Sequence, residues 1–216
     1  MHISQLPIIG VFGGTFDPIH LGHLRTVSSV QSKLALARVL IVPVYHPPHR
    51  TTPLTDSKHR VSMIELAINE FPKLECDDRE IQRGGISYTY LTAKELRKEF
   101  GESPLCLIIG LDSFLDLPGW HCWDKILDNV HIVVMNRPGW RLPYPLPKWC
   151  HDVVIVDDPV KLKERSAGYV YCISVPSIDI NSTMIRDVLL KKDRINNTLP
   201  SSVLSYIRSN KLYESH

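Results

Sequence analysis

The sequence has almost no excess of charge. Its 25 Lys and Arg stand against 23 Asp and Glu, which leaves +2 at pH 7 with His neutral. A nucleic-acid or membrane-surface partner needs a clustered cationic excess, so neither is expected. Close cysteine pairs are missing too. Cys76, Cys106, Cys122, Cys150 and Cys172 make five, an odd number, widely spread and without a CxxC. That pattern argues against a disulfide framework and a structural zinc site, and for reduced thiols in a reducing compartment. No apolar run approaches membrane-spanning length. Leu6 to Phe12 is apolar, but no Lys or Arg precedes it and glycine interrupts it, so it does not read as a targeting segment. A cytoplasmic protein is expected. Internal repeats are absent, and so are the two familiar phosphate loops, GxGxxG and GxxxxGK(S/T).

What is present is an ordinary globular composition. The 216 residues are 44% hydrophobic and 22% charged, enough for one domain with a full core. Continuous apolar runs at Ile8–Phe12, Val39–Val44, Leu105–Gly110 and Ile132–Met135 read as buried parallel strands. Leu74–Ile81, Val153–Val156 and Tyr169–Val175 read as further strands. Helical spacing occupies Leu21–Leu36, Lys58–Glu70, Tyr90–Phe100, Trp123–Leu127, Ser182–Lys191 and Ser201–Arg208. The prolines of residues 45 to 56 and of Pro138 to Pro147 mark loops. This alternation predicts an α/β fold, a doubly wound parallel sheet with helices on both faces. One domain over 1–216 is expected, with 180–216 as a C-terminal helical subdomain.

Ligands in such sheets bind beyond the carboxyl ends of the strands. The stretch GGTFDPIHLGH, residues 13 to 23, lies at the end of the first strand. Gly13, Gly14, Thr15 and Phe16 form a tight turn whose small residues allow close backbone approach. Pro18 suits the start of a helix, and Asp17 is placed to cap it. A helix start attracts anions. His20 and His23, three apart, present two imidazoles on one face as donors to phosphate oxygens, stronger when protonated. Gly22 between them leaves room for a planar base. A metal at the two histidines would need a third ligand, which the sequence does not nominate. The phosphate reading is therefore favoured, and no protein-held metal is expected.

Other stretches carry chemistry. INSTMIR (180–186) opens a helix that Ser182 or Thr183 can cap, with Arg186 either solvated or forked onto phosphate oxygens. Asp112, after Gly110, ends a buried strand; it is a helix cap or an acceptor for ribose hydroxyls. Trp120 and His121 follow Pro118-Gly119, and the tryptophan is a core plug or a stacking platform. His49 and Arg50 leave the Pro47-Pro48 corner as a solvated loop or a flap.

GGTFDPIHLGH resembles the GG(S/T)FDPxHxGH signature of the HxGH nucleotidylyltransferases. PPHR (47–50), SYT (87–89), IIGLDS (108–113), LPGWHCW (117–123), NRPG (136–139) and INSTMIR follow it in the order of one branch, the bacterial nicotinate mononucleotide adenylyltransferases. The resemblance implies adenylyl transfer from ATP to nicotinate mononucleotide, with Mg²⁺ accompanying ATP and small molecules as the only partners of the reaction. His20, His23 and Arg186 are then catalytic. Gly13, Gly14, Thr15, Phe16, Gly22, Gly110, Asp112, Ser182 and Thr183 hold ATP. His49, Arg50, Tyr88, Thr89, Trp120, His121 and Arg137 hold the acceptor, with Trp120 stacked on the pyridine ring and Arg60 and Arg83 as further cations for its phosphate. The family usually has ISSTxIR, so Asn181 departs from it. Transfer to pantetheine phosphate, cytidylyl transfer to a polyol phosphate, and a silent nucleotide sensor are the competing readings. A tRNA synthetase is excluded by length and by the lack of a KMSKS-like segment. The working unit is expected to be a monomer or a homodimer.

Overall fold

The computed structural model describes residues 6–48, 53–136, 143, 145–191 and 197–214. Seven strands form one sheet, and every pairing is parallel. In chain order they are β1 (Ile9–Gly14), β2 (Arg38–Pro43), β3 (Leu74–Cys76), β4 (Leu105–Gly110), β5 (His131–Asn136), β6 (Val154–Val156) and β7 (Tyr169–Ser174). Their spatial order is β3-β2-β1-β4-β5-β7-β6. The helices are α1 (Leu21–Lys33), α2 (Ser57–Ile68), α3 (Arg79–Arg83), α4 (Thr89–Phe100), α5 (Leu111–Leu115), α6 (Ser182–Leu190) and α7 (Ser201–Ser209).

Strand side chains alternate between faces, so each strand feeds two cores. Phe12 and Ile41 join Leu24, Val27 and Val30 of α1, Met63 and Ile64 of α2, Ile185 of α6, and Val203 and Ile207 of α7. Val11, Leu40 and Val42 join Ala93 and Leu96 of α4 and Phe114 of α5 on the other face. Burial on both faces is why the central strands read as unbroken apolar runs. Among the described residues, no helix is long and apolar enough to cross a membrane. All five cysteines are unpaired.

The structure departs from the sequence reading at three places. The strand expected over Leu74–Ile81 stops at Cys76, and α3 follows. Asp77 Oδ1 accepts from the Arg79 N–H at 3.1 Å, so a local side-chain bond turns the backbone away from the sheet. Trp123–Lys125 is a single 3₁₀ turn rather than a helix to Leu127. Asp17 does not cap α1: the helix begins at Leu21, and His20 is its N-cap. Most of the Pro138–Pro147 loop lies outside the described residues.

Candidate active site

The sheet opens at one place. β1 pairs with β4 only from Ile9↔Leu105 to Val11↔Leu107. On its other side β1 stays paired with β2 up to Gly14↔Pro43, and β4 with β5 up to Gly110↔Met135. The two central strands therefore part at their carboxyl ends, where the direction of winding reverses. That is the switch point at which doubly wound sheets take ligands. A cleft of about 990 Å³ fills the gap.

One end of the cleft is lined by the Gly13–Asp17 turn, the two histidines and the start of α6. His20 Nδ1 accepts from the His23 N–H at 3.3 Å, so the side chain itself caps α1. A neutral imidazole with Nδ1 as acceptor carries its proton on Nε2 and remains a donor there. The two rings stack, with centroids 3.5 Å apart and planes 20° apart. Phe16 backs the pair, its ring edge-on to His23 at 5.2 Å. A Cβ on Gly22 would meet His20 Nδ1 at 2.9 Å and Ile180 Cβ at 3.3 Å. The glycine thus makes room for the imidazole and for the approach of the α6 segment, where the sequence suggested room for a base.

Burial pushes the His20 pKa down to about 4. Burial and the neighbouring His20 ring push His23 well below its ordinary value. Both are neutral at pH 7 in the free site. His23 Nδ1 is buried without a partner among the described residues. A polyphosphate would satisfy such a group and raise both pKa values.

α6 is stitched to the residues that lead into α1. Ser182 Oγ donates to Pro18 O at 3.0 Å, and Arg186 Nη1 donates to Asp17 O at 2.7 Å. Arg186 Nη2 donates to Thr183 Oγ1 at 3.1 Å. These bonds occupy two of the five guanidinium N–H groups. The cap of α6 is neither Ser182 nor Thr183. It is Asn181, whose Oδ1 accepts from the Met184 N–H at 2.8 Å. Asn181 has the extended backbone of a cap position, one residue before the helix.

The other end is lined by Ser87, Tyr88, Thr89, Trp120 and His121. α4 starts at Thr89, and Tyr88 caps it without a side-chain bond. The first N–H groups of a helix left so are open to an anion. The Tyr88 and His121 rings lie 4.3 Å apart. Trp120 is half-buried: it packs on the second core and also lines the cleft, so plug and platform are combined. Asp112 stands in the first turn of α5 and lines the cleft. A Cβ on Gly110 would fall 2.5 Å from Asp112 Oδ1, which gives the glycine a steric reason.

His49, Arg50 and Arg137 lie outside the described residues. Arg60 and Arg83 are already engaged by protein acceptors. Arg60, 1% exposed, donates to Thr15 O at 2.8 Å and Thr55 O at 3.2 Å. Arg83 reaches Glu95 at 2.8 Å and Thr92 Oγ1 at 3.1 Å. Glu80 is a lining residue that the sequence reading missed. It is buried beside Ser87, accepts from Thr92 Oγ1, and burial raises its pKa. Among the described residues, no three His, Cys, Asp or Glu side chains gather to hold a metal ion.

A family model described as cytidylyltransferase-like matches residues 11–188. The nicotinate-nucleotide adenylyltransferase of Salmonella typhimurium is 42% identical over 207 residues, 94% of this chain and 97% of that protein. The nicotinic acid mononucleotide adenylyltransferase of Plasmodium falciparum complexed with NaAD has the same fold, with a TM-score of 0.72 at 20% identity. The same protein complexed with APC gives 0.69 at 19% identity. Each alignment covers 96% of this chain and 97% of the other. The chain belongs to the cytidylyltransferase-like family and, within it, to the nicotinate-nucleotide adenylyltransferases.

Proposed function

We propose that the chain transfers the adenylyl group of ATP to nicotinate mononucleotide, giving the deamido dinucleotide and pyrophosphate in NAD biosynthesis. A phosphate oxygen of the mononucleotide attacks the α-phosphorus. The bond from that phosphorus to the bridging oxygen breaks, and pyrophosphate leaves. The attacking phosphate is already an anion near neutral pH, so no side-chain nucleophile or strong base is needed. Catalysis is positioning and charge stabilisation.

The single observation that carries this reading is the stacked His20–His23 pair at the sheet's switch point, with Arg186 bonded to the residue that leads into it. His20 Nε2–H, His23 and the free N–H groups of Arg186 are assigned to the phosphates of ATP. Gly13, Gly14, Thr15, Phe16 and Gly22 form the floor beneath them, and Ser182 and Thr183 the facing wall. Asp112 and Gly110 are assigned to the ribose. Mg²⁺ fits as an ion carried on the nucleotide's own oxygens, since the histidine end offers it donors of hydrogen bonds rather than a ligand set. When bound, it would neutralise charge on the leaving pyrophosphate.

Trp120 is assigned to stack on the pyridine ring. Tyr88, Thr89 and His121 receive the nicotinate carboxylate through N–H donors. A carboxamide would turn its own NH₂ toward those donors and be rejected. His49, Arg50 and Arg137 are assigned to the acceptor from the sequence alone. One domain is assigned to 1–216, and the start of α6 faces the phosphate end. Five unpaired cysteines support a reducing, cytoplasmic setting.

The test is pyrophosphate release from MgATP with nicotinate mononucleotide, its amide and pantetheine phosphate as acceptors. Release with the first and little with the others is expected. ATP binding without release from any acceptor would make the chain a sensor, and release with pantetheine phosphate alone would move it to another branch.

A further inference from the structure

Residues 15–17 collect four hydrogen bonds from three distant parts of the chain. Arg60 on α2 donates to Thr15 O at 2.8 Å. Arg186 on α6 donates to Asp17 O at 2.7 Å. The Leu54 N–H donates to Asp17 Oδ2 at 2.8 Å. The hydroxyl of Tyr213, in the turn after α7, donates to Asp17 Oδ1 at 2.6 Å. Between the clamped residues sits Phe16, with φ of 50°, a left-handed conformation that a residue with a Cβ avoids. Tyr213 has φ of 61° and is strained in the same sense. Such conformations persist where the surroundings over-determine them. The bonds on both sides of Phe16 do that here. His20 follows three residues later, so the turn sets where the imidazoles begin.

Tyr213 is absent from the cleft wall, although Asp17 lines it. Burial and the Asp17 charge push the phenol pKa upward, so it stays a donor at any working pH. We propose that Tyr213 is a positioning residue for adenylyl transfer: through Asp17 it fixes the Thr15–Asp17 turn, and with it the donors that grip the reacting phosphates. This rests on the adenylyl-transfer reading. It makes the turn after α7 part of the machinery without giving it any contact with substrate.

The test is Tyr213→Phe, which keeps the ring and removes the donor. Its kcat is expected to fall by about tenfold, the scale of one hydrogen bond to a buried charged group. The KM for nicotinate mononucleotide should stay within about twofold, because the loss is in the transition state. Amide exchange at Leu54, whose N–H donates to Asp17 Oδ2, should quicken by about tenfold in the free protein, a readout that needs no turnover. Asp17→Asn should lose kcat similarly, since an amide offers one acceptor oxygen where the carboxylate uses two. The double variant should lose no more than the worse single one, because Tyr213 acts only through the Asp17 carboxylate that the other change already removes. Unchanged kcat and unchanged exchange in Tyr213→Phe would overturn the proposal, as would fully additive losses in the double variant. If Tyr213→Phe does not fold, Asp17→Asn with Tyr213 intact decides alone, and normal kcat there overturns it. A wild-type protein that releases no pyrophosphate would defeat the underlying reading instead, and the exchange measurement separates the two failures.

Discussion

At the histidine end of the cleft, Asp17 and His20 are each 4% exposed and Arg60 is 1% exposed. At the end we assign to the acceptor, Ile86 is 48% exposed, His121 stands in solvent, and Tyr88 caps α4 without a side-chain bond. The first end is held by hydrogen bonds from α2, α6 and the turn after α7; the second rests on the buried polar residues Glu80, Ser87 and Thr92 but presents the Tyr88 and His121 rings at its rim. The difference matches the two tasks. Charge that develops on phosphorus oxygens is best met by donors that cost no reorganisation, and those must be fixed in advance. A flat ring entering from solvent needs a surface and a few N–H groups, and an open rim admits it. One fold thus separates what must be rigid from what must be reachable.

The sharpest way to break that contrast is at the imidazoles. His20→Ala or His23→Ala should lower kcat by ~10²-fold or more, the loss of one well-placed donor. Near-normal steady-state turnover in either would erase the distinction between the two ends. The same rings give a pH signature. Their pKa values in the fold lie below the unfolded 6.5, with His20 at about 4. Above pH 6.5 they are neutral in both states and contribute nothing. As pH falls from 6.5 toward 4, the unfolded chain takes up protons that the fold refuses, so stability falls through this window, and the His20 share levels off below about 4. His131, also pushed down by burial, adds to it with the same sign. Urea midpoints measured from pH 7 to pH 4 should show the decline, and His20→Gln should make it shallower.

Arg60 tests the same end by stability. Arg60→Met keeps most of the volume but leaves Thr15 O and Thr55 O without their donor and removes one of the two guanidinium groups beside Asp17. A loss of roughly 2–3 kcal/mol in chemical denaturation is expected, as for breaking a buried charged network. A loss below about 0.5 kcal/mol, the range of ordinary surface changes, would mean that the turn is not clamped as described. The acceptor end should behave differently. Trp120→Ala should raise the KM for nicotinate mononucleotide by about tenfold and spare kcat, which is the mark of uniform binding. An equal fall in kcat would show that the rim also acts in the transition state.

The strands at the switch point were legible because burial on both faces leaves only apolar residues in them, as in Leu105–Ile109. GGTFDPIHLGH was legible because turn, helix start and paired imidazoles are all local. What local pattern missed was set by tertiary contact. Asp17 looks like a cap, yet its carboxylate serves Leu54 and Tyr213, and His20 caps instead. Arg60 reads in the sequence as a cation for the acceptor phosphate and Glu80 as part of a strand, whereas in the fold their partners Thr15 O, Thr55 O and Thr92 Oγ1 lie on other elements. The Asp77–Arg79 bond that ends β3 lies within Leu74–Ile81, which the sequence reads as one strand. Each miss is a polar residue whose partner lies elsewhere in the chain or on a backbone N–H.

The smallest effect tests the α6 side of the contrast. Asn181 departs from the family's usual serine, but its Oδ1 already performs the work of a cap on the Met184 N–H. Asparagine and serine are near-equal caps, so Asn181→Ser should change stability by no more than a few tenths of a kcal/mol, whereas Asn181→Ala should cost about 1 kcal/mol. The consequence for activity follows from where the helix is anchored. Ser182 and Arg186 tie it to Pro18 and Asp17 independently of the cap, so kcat in Asn181→Ala should remain close to the parent even as the thermal midpoint falls. A fall in kcat that matches the loss of stability would show that the helix start itself, and not its stitching to α1, positions the arginine.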